Sequence, residues 1–263
     1  MRIKFFQVDA FTNSVFKGNQ AAVCLLTKAL SEQDMQSIAM ENNVAETAFV
    51  VKRKDGDFDL RWFTPAVEVP LCGHATLASA HILWQQGVLA KDASAKFHTK
   101  SGLLTAEKKD NWIEMDMPAI TNEKTALPDD LLKALNVKPV NVLMADIRYL
   151  VEVETEKEVR TAQPDFRVMK KHKTLILTSR ADKGSKYDIV SRYFASSFGI
   201  DEDPATGSAH CCLAPYWAKK LGKNDIMAYQ ASARGAELKL RLNGDRALIS
   251  GMAVTVINGN FHL

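Results

Sequence analysis

One six-residue segment occurs twice in the chain. Pro70-Leu71-Cys72-Gly73-His74-Ala75 and Pro204-Ala205-Thr206-Gly207-Ser208-Ala209 agree at Pro, Gly and Ala, at a single offset of 207 − 73 = 134 residues. The surroundings recur as well. An acidic residue precedes each Pro (Glu68; Glu202 or Asp203), and an aromatic pair lies upstream as Trp62-Phe63 and Tyr193-Phe194. In a chain of 263 residues that offset is about half the length. It implies two similar domains and not a solenoid of short repeats. We place the halves at residues 1–118 and 119–263, around Pro118 to Pro128, with the last C-terminal strand a candidate to complete the first half.

Most of the remaining pattern is strand. Trp112 to Met117 and Glu237 to Leu242 alternate strictly between apolar and other residues, as a sheet with one buried face requires. Further strands are expected over Ile3–Phe11, Ala21–Leu26, Thr47–Lys52, Phe58–Phe63, Leu103–Lys108, Asn141–Glu154, Thr174–Thr178, Arg246–Ser250 and Ala253–Ile257. Ser31 to Glu41 and Asp129 to Leu135 read as exposed helices. His74 to Gln86 and Ser208 to Lys220 are different, because small or apolar residues cover most of their faces. Such a helix is buried. Pro215 should kink the second or break it. The basic run Arg167 to Lys173 leads into Leu175-Ile176-Leu177 and reads as a solvated strand entry.

Composition narrows the classes of function. A net charge of +3, with 34 basic and 31 acidic side chains, is near balance, and no basic stripe interleaves with aromatics. Nucleic-acid binding is therefore not expected. No stretch reaches the length of a membrane span, and the alternating start Met1-Arg2-Ile3-Lys4-Phe5 is unlike a signal peptide. Cys24, Cys72, Cys211 and Cys212 form no CxxC pair. Reduced thiols in a cytoplasmic protein are the expectation.

Each repeated segment ends at a helix start, where unpaired N–H groups and the helix dipole favour an anion. Gly73 and Gly207 would let the backbone approach a small carboxylate held between the two halves, although glycines there also serve plain turns. His74 and Ser208 follow those glycines in equivalent positions, with Thr206 just ahead of the second. All of these are candidates to touch substrate.

The longer motif Asp201-Glu202-Asp203-Pro204-Ala205-Thr206-Gly207-Ser208-Ala209 closely resembles the signature of the phenazine-biosynthesis PhzF-like family. Three other runs resemble that family's motifs in the same order. They are Asp9-Ala10-Phe11-Thr12 with Phe16-Lys17-Gly18-Asn19-Gln20-Ala21-Ala22-Val23, then Asn43 to Phe49, then Trp62 to Pro65 with Glu68 and Pro70 to Thr76. Gln20 stands where the family has Pro, and Ala45 where Ser is common.

The resemblance implies an α+β fold of the diaminopimelate-epimerase-like type, with two β-barrel halves each enclosing a central helix. It also implies a homodimer that uses no metal and no organic cofactor, and an isomerase that shifts a proton on a small carboxylate. In that family a glutamate is the general acid/base, which matches Glu46 here; the family's histidine and aspartate match His74 and Asp203. Apolar neighbours around Glu46 (Val44, Ala45, Ala48, Phe49) lead us to expect a desolvated carboxyl with a raised pKa. Asp203 is expected to hold an amine or hydroxyl, or to relay a proton with His74.

Three competing readings come from the same residues. Related epimerases of this fold carry catalytic cysteines just before both helix-opening glycines, where this chain has Cys72 and Thr206. A threonine is too weak an acid to be the second base, and a Cys–Thr pairing resembles hydroxyproline dehydratases, whose wider motifs are missing. A metal site at His210, Cys211 and Cys212 is disfavoured, since adjacent helical residues point apart. The third reading is a duplicated binding protein without chemistry.

Overall fold

The structure is a computed structural model describing residues 1–263. The chain sorts into two compact units, Met1–Asp116 with Ser250–Leu263, and Met117–Ile249. The last strand thus belongs with the first unit and not with the half beginning at residue 119.

The first unit contains β1 (Arg2–Ala10), β2 (Asn19–Leu26), α1 (Glu32–Asn42), β3 (Glu46–Lys52), β4 (Phe58–Phe63), β5 (Glu68–Val69), α2 (Gly73–Gln85), β6 (Ala95–Thr99), β7 (Gly102–Lys109) and β8 (Trp112–Pro118). The C-terminal strand Ala253–His262 lies antiparallel to β1, pairing Arg2 with His262. From β1 the partners run antiparallel to β2, parallel to β3, antiparallel to β4, parallel to β6 and antiparallel to β7.

The second unit contains β9 (Glu123–Lys124), α3 (Asp129–Leu135), β10 (Asn141–Ala145), β11 (Arg148–Glu152), α4 (Glu156–Thr161), α5 (Phe166–Met169), β12 (Thr174–Arg180), β13 (Ile189–Ala195), β14 (Ile200–Glu202), α6 (Gly207–Leu221), β15 (Asp225–Gln230), β16 (Ala236–Asn243) and β17 (Arg246–Gly251). Its series is the same. β10 runs antiparallel to β11, which is parallel to β12; β12 is antiparallel to β13, which is parallel to β15; β15 is antiparallel to β16. A short strand, β5 or β14, folds back on β4 or β13 just before the long helix in each unit. The two units therefore repeat in topology as well as in motif.

Both long helices are buried for the reason their composition announced. From His74 to Trp84 every residue of α2 except His81 is buried, and α2 packs on β1, β2, β3 and the C-terminal strand. Its small residues Ala75, Ala78 and Ala80 admit neighbouring backbone on several sides. The hydroxyls of Thr76 and Ser79 donate back to the Cys72 and Ala75 carbonyls, so neither hydroxyl is stranded. The alternation in Trp112 to Met117 is realised as well, with Ile113, Met115 and Met117 buried.

Three elements depart from expectation. Asn141 to Glu154 is not one strand but a hairpin, reversed at Asp146, whose φ of 58° is left-handed. The basic run from Arg167 starts on α5, capped by Asp165, and then passes through a turn with Lys170, Lys171 and Lys173 exposed straight into β12, the solvated strand entry expected. α4 was unforeseen, although Thr155 and Glu158 form a full capping box. Pro215 neither breaks nor ends α6, which runs from Gly207 to Leu221. The Cys211 carbonyl that residue 215 cannot serve accepts instead from the Ile120 N–H at 3.0 Å, and the Cys212 carbonyl accepts from Asn122 Nδ2 at 3.0 Å.

Candidate active site

In the first unit the candidate residues converge from three element starts. Glu46 opens β3, where it pairs with Ala21 of β2. Cys72 is the N-cap of α2, and its side chain makes no capping bond. His74 is the second residue of that helix. Its Nε2 lies 3.0 Å from Glu46 Oε2, while its Nδ1 faces Cys72 Sγ at 3.5 Å and Asn19 Nδ2 at 3.3 Å. The close Glu46 and His74 atoms are shielded from solvent, yet neither has an aligned hydrogen-bond partner.

Asn19 reaches this cluster because of the loop that precedes it. Gly18 has φ of +61°, and a Cβ there would sit 2.0 Å from the Ala10 carbonyl oxygen. Only glycine permits so close a return of the loop onto β1. The loop is fastened again where the Phe16 N–H donates to the buried Asp9 carboxylate at 2.8 Å. The sequence signal for Asn19 is its place straight after Gly18.

The electrostatics correct the raised pKa expected for Glu46. Burial does push its carboxyl upward, but the charge of His74 and the contacts with His74 and Cys72 outweigh that and hold it below the ordinary value. His74 is the mirror case. Burial opposes its charge, while the Cys72 sulfur and the Glu46 carboxylate favour it and raise the imidazole well above normal. Cys72 is pushed up by burial first and by Glu46 second. The directions at Glu46 and His74 favour an ionised carboxyl facing a protonated imidazole, and the rise at Cys72 favours its thiol form.

In the second unit Asp203 and Thr206 are tied together, the Thr206 hydroxyl donating to Asp203 Oδ2. The turn is braced from within by Gln230, which is fully buried at the end of β15. Its Oε1 accepts from the Thr206 N–H at 2.8 Å, and its Nε2 donates to the Asp203 carbonyl at 2.6 Å. Sequence reasoning passed over Gln230, since nothing in a short strand marks one glutamine. Gly207 opens α6 and Ser208 follows it.

The repeated acid before Pro turns out to be structural. Glu68 takes both Nε and Nη2 of Arg61 at 2.7 and 2.6 Å, and Glu202 takes the same pair from Arg192 at 2.7 and 2.8 Å. Each guanidinium also lies over a ring of its own strand, Phe63 or Phe194. Glu202 is therefore the counterpart of Glu68, and Asp203 falls opposite Val69. Asp203 is an acid that the first unit lacks.

His210, Cys211 and Cys212 do not form a cluster. His210 Nδ1 is 2.8 Å from the Thr206 carbonyl and its Nε2 faces Ser191, while the two thiols donate to the Gly207 and Ser208 carbonyls. All four cysteines are free and buried. No helix is long and apolar enough to cross a membrane.

Comparison with known proteins bears on this arrangement. The sequence profile described as phenazine biosynthesis-like protein (PhzC-PhzF) matches residues 8–259. An uncharacterized isomerase of Halalkalibacterium halodurans is 45% identical over 266 residues, covering 100% of both chains. The crystal structure of a PhzF-family phenazine biosynthesis protein from Enterococcus faecalis superposes with a TM-score of 0.95 at 38% identity, again over 100% of both chains. A probable proline racemase from Agrobacterium radiobacter, at 11% identity and a TM-score of 0.68 over 99% of this chain and 93% of its own, shares the fold alone. The fold class is thus α+β, related to the diaminopimelate-epimerase-like type.

Proposed function

The chain belongs to the phenazine biosynthesis-like (PhzC-PhzF) family and is an isomerase, and from the Glu46–His74 contact we propose that it moves a proton along the skeleton of a small carboxylate metabolite, with Glu46 as general acid/base. The single observation carrying this reading is the shielded pair at 3.0 Å, in which neither facing atom has an aligned hydrogen bond.

The chemistry follows from the charges. The Glu46 carboxylate takes a proton from a substrate C–H bond, and the electron pair left behind moves into an adjacent double bond or carbonyl. The same carboxyl, now protonated, returns the proton at another carbon. Atoms and oxidation state are unchanged, as an isomerisation requires. His74, held protonated by that carboxylate, keeps Glu46 ionised at rest and fixes its direction. Because the carboxyl is held below its ordinary pKa, it is a weak base. The substrate must then contribute acidity of its own through conjugation beside the C–H bond.

In this proposal the open N–H groups at Gly73 and Gly207, with Thr206 and Ser208, bind the substrate's polar groups, and Asp203 serves an amine or hydroxyl. A homodimer is carried over from the family resemblance, and a cytoplasmic location from the cysteine pattern of the sequence.

The test is deuterium uptake from heavy water into candidate small carboxylates, read by mass spectrometry. The wild-type chain should label its substrate, and Glu46→Gln should slow labelling by about 100-fold or more with an unchanged melting temperature. Wild-type labelling by that variant would refute the role of Glu46. Labelling lost in Cys72→Ala but kept in Glu46→Gln would favour the thiol reading instead.

A further inference from the structure

The Glu46–His74 contact leaves a second property unaccounted for. Glu46, Cys72 and His74 each offer one ligand atom, an oxygen, a sulfur and a nitrogen, all within 4.8 Å of one another. Three atoms so spaced fit inside a circle of radius about 2.8 Å, whereas zinc holds such ligands at about 2.0–2.3 Å. Rotamer shifts of about half an ångström would bring all three into contact with one ion. Two of the three residues already present buried polar atoms, Glu46 Oε2 and His74 Nε2, that face each other at 3.0 Å as an ion pair and have no aligned hydrogen bond. The donor set of thiolate, imidazole and carboxylate suits zinc or cadmium and is a poor match for magnesium or calcium, which prefer oxygen alone.

We propose that Glu46, Cys72 and His74 form a binding site for one soft divalent cation, and that its occupancy shuts the site to proton transfer. As the sulfur–metal bond forms, the Cys72 thiol gives its proton to solvent, and His74 binds as neutral imidazole after losing its own. Nothing is oxidised. The three protein ligands come from the starts of β3 and α2 and leave a fourth tetrahedral position for water. The ion consumes the lone pair of the group that would take the substrate proton. It is therefore an inhibitor and not a cofactor. Only that consequence rests on the proposed role of Glu46; the binding does not.

The other acidic cluster, Asp55, Asp57 and His98, has no thiol and is engaged with Arg53 and with itself. A sulfur-specific signal separates the two. Titrating the full chain with cadmium chloride should raise the ultraviolet absorption of a cadmium–thiolate bond, saturating at one equivalent. Cys72→Ser should abolish that absorption, while Cys211→Ser and Cys212→Ser should leave it intact. Glu46→Gln should keep the absorption but weaken affinity by about ten-fold or more, and it serves as the second variant should Cys72→Ser fail to fold. An absent absorption in the wild-type chain, one that survives Cys72→Ser, or an unchanged affinity in Glu46→Gln would overturn the site. Cadmium bound as described by a chain whose Glu46→Gln variant labels substrate at the wild-type rate would sink the proposed function and leave the metal site standing.

Discussion

At the scale of single residues, the candidate site depends on positions that permit geometry as much as on those that carry charge. Gly18 is the clearest. Its left-handed backbone and the 2.0 Å approach to Ala10 leave no room for a methyl group. We expect Gly18→Ala to destabilise the chain by about 2–4 kcal/mol in urea unfolding, combining backbone strain with a displaced loop. It should also loosen Asn19 from His74. A loss below about 0.5 kcal/mol would show that the loop yields freely. Glu46 and His74 illustrate the limit of reading burial from neighbours. The apolar residues flanking Glu46 correctly implied a shielded carboxyl, but a histidine 28 positions later (74 − 46) sets its charge.

At the scale of elements, α6 shows how a local rule is overridden. Proline inside a helix ordinarily costs about 3 kcal/mol, because it removes a hydrogen bond and crowds the preceding turn. Here the freed Cys211 carbonyl is served by Ile120, from a segment far away in sequence. Pro215→Ala should consequently change stability by less than about 1 kcal/mol, since the new N–H competes for a carbonyl already taken. A gain of about 3 kcal/mol in urea unfolding would mean that the Ile120 bond contributes nothing. The duplicated ion pairs are an element-scale finding as well. The acid before each Pro was legible as a repeat, but its partner was not, because Arg61 and Arg192 sit on neighbouring strands where only pairing brings them close. The strands with clear alternation were readable from sequence. The hairpin at Asp146 was not, because its two arms are both apolar enough to pass for one strand.

At the scale of the whole molecule, acid stability follows from imidazoles buried in the neutral form. Burial lowers His210 to about 4 and His81 to about 4, against an ordinary 6.5. Each group binds its proton more weakly folded than unfolded. Its contribution to stability is therefore complete above pH 6.5 and falls away as the pH drops from 6.5 towards 4. For His210 the full effect is roughly 3 kcal/mol. These residues lie in different units, so each unit contains one such imidazole. His210→Asn, which keeps a donor for the Thr206 carbonyl, should flatten the fall in stability between pH 7 and pH 4.5 by roughly 2 kcal/mol. Equal slopes for variant and wild type in urea titrations would contradict this assignment.

The sequence by itself determined that the chain is built twice, that each copy buries a helix of small residues, and which motifs open those helices. Those properties are local, written in spacing, periodicity and residue size, and the family resemblance rests on them. Tertiary structure decided the rest. It returned the last strand to β1, paired Glu202 and not Asp203 with an arginine, and left Asp203 as the acid without a counterpart. It also set Glu46 against His74 and reversed the expected direction of its pKa. Charge state depends on distances in space between groups far apart in sequence, and no local pattern encodes those distances.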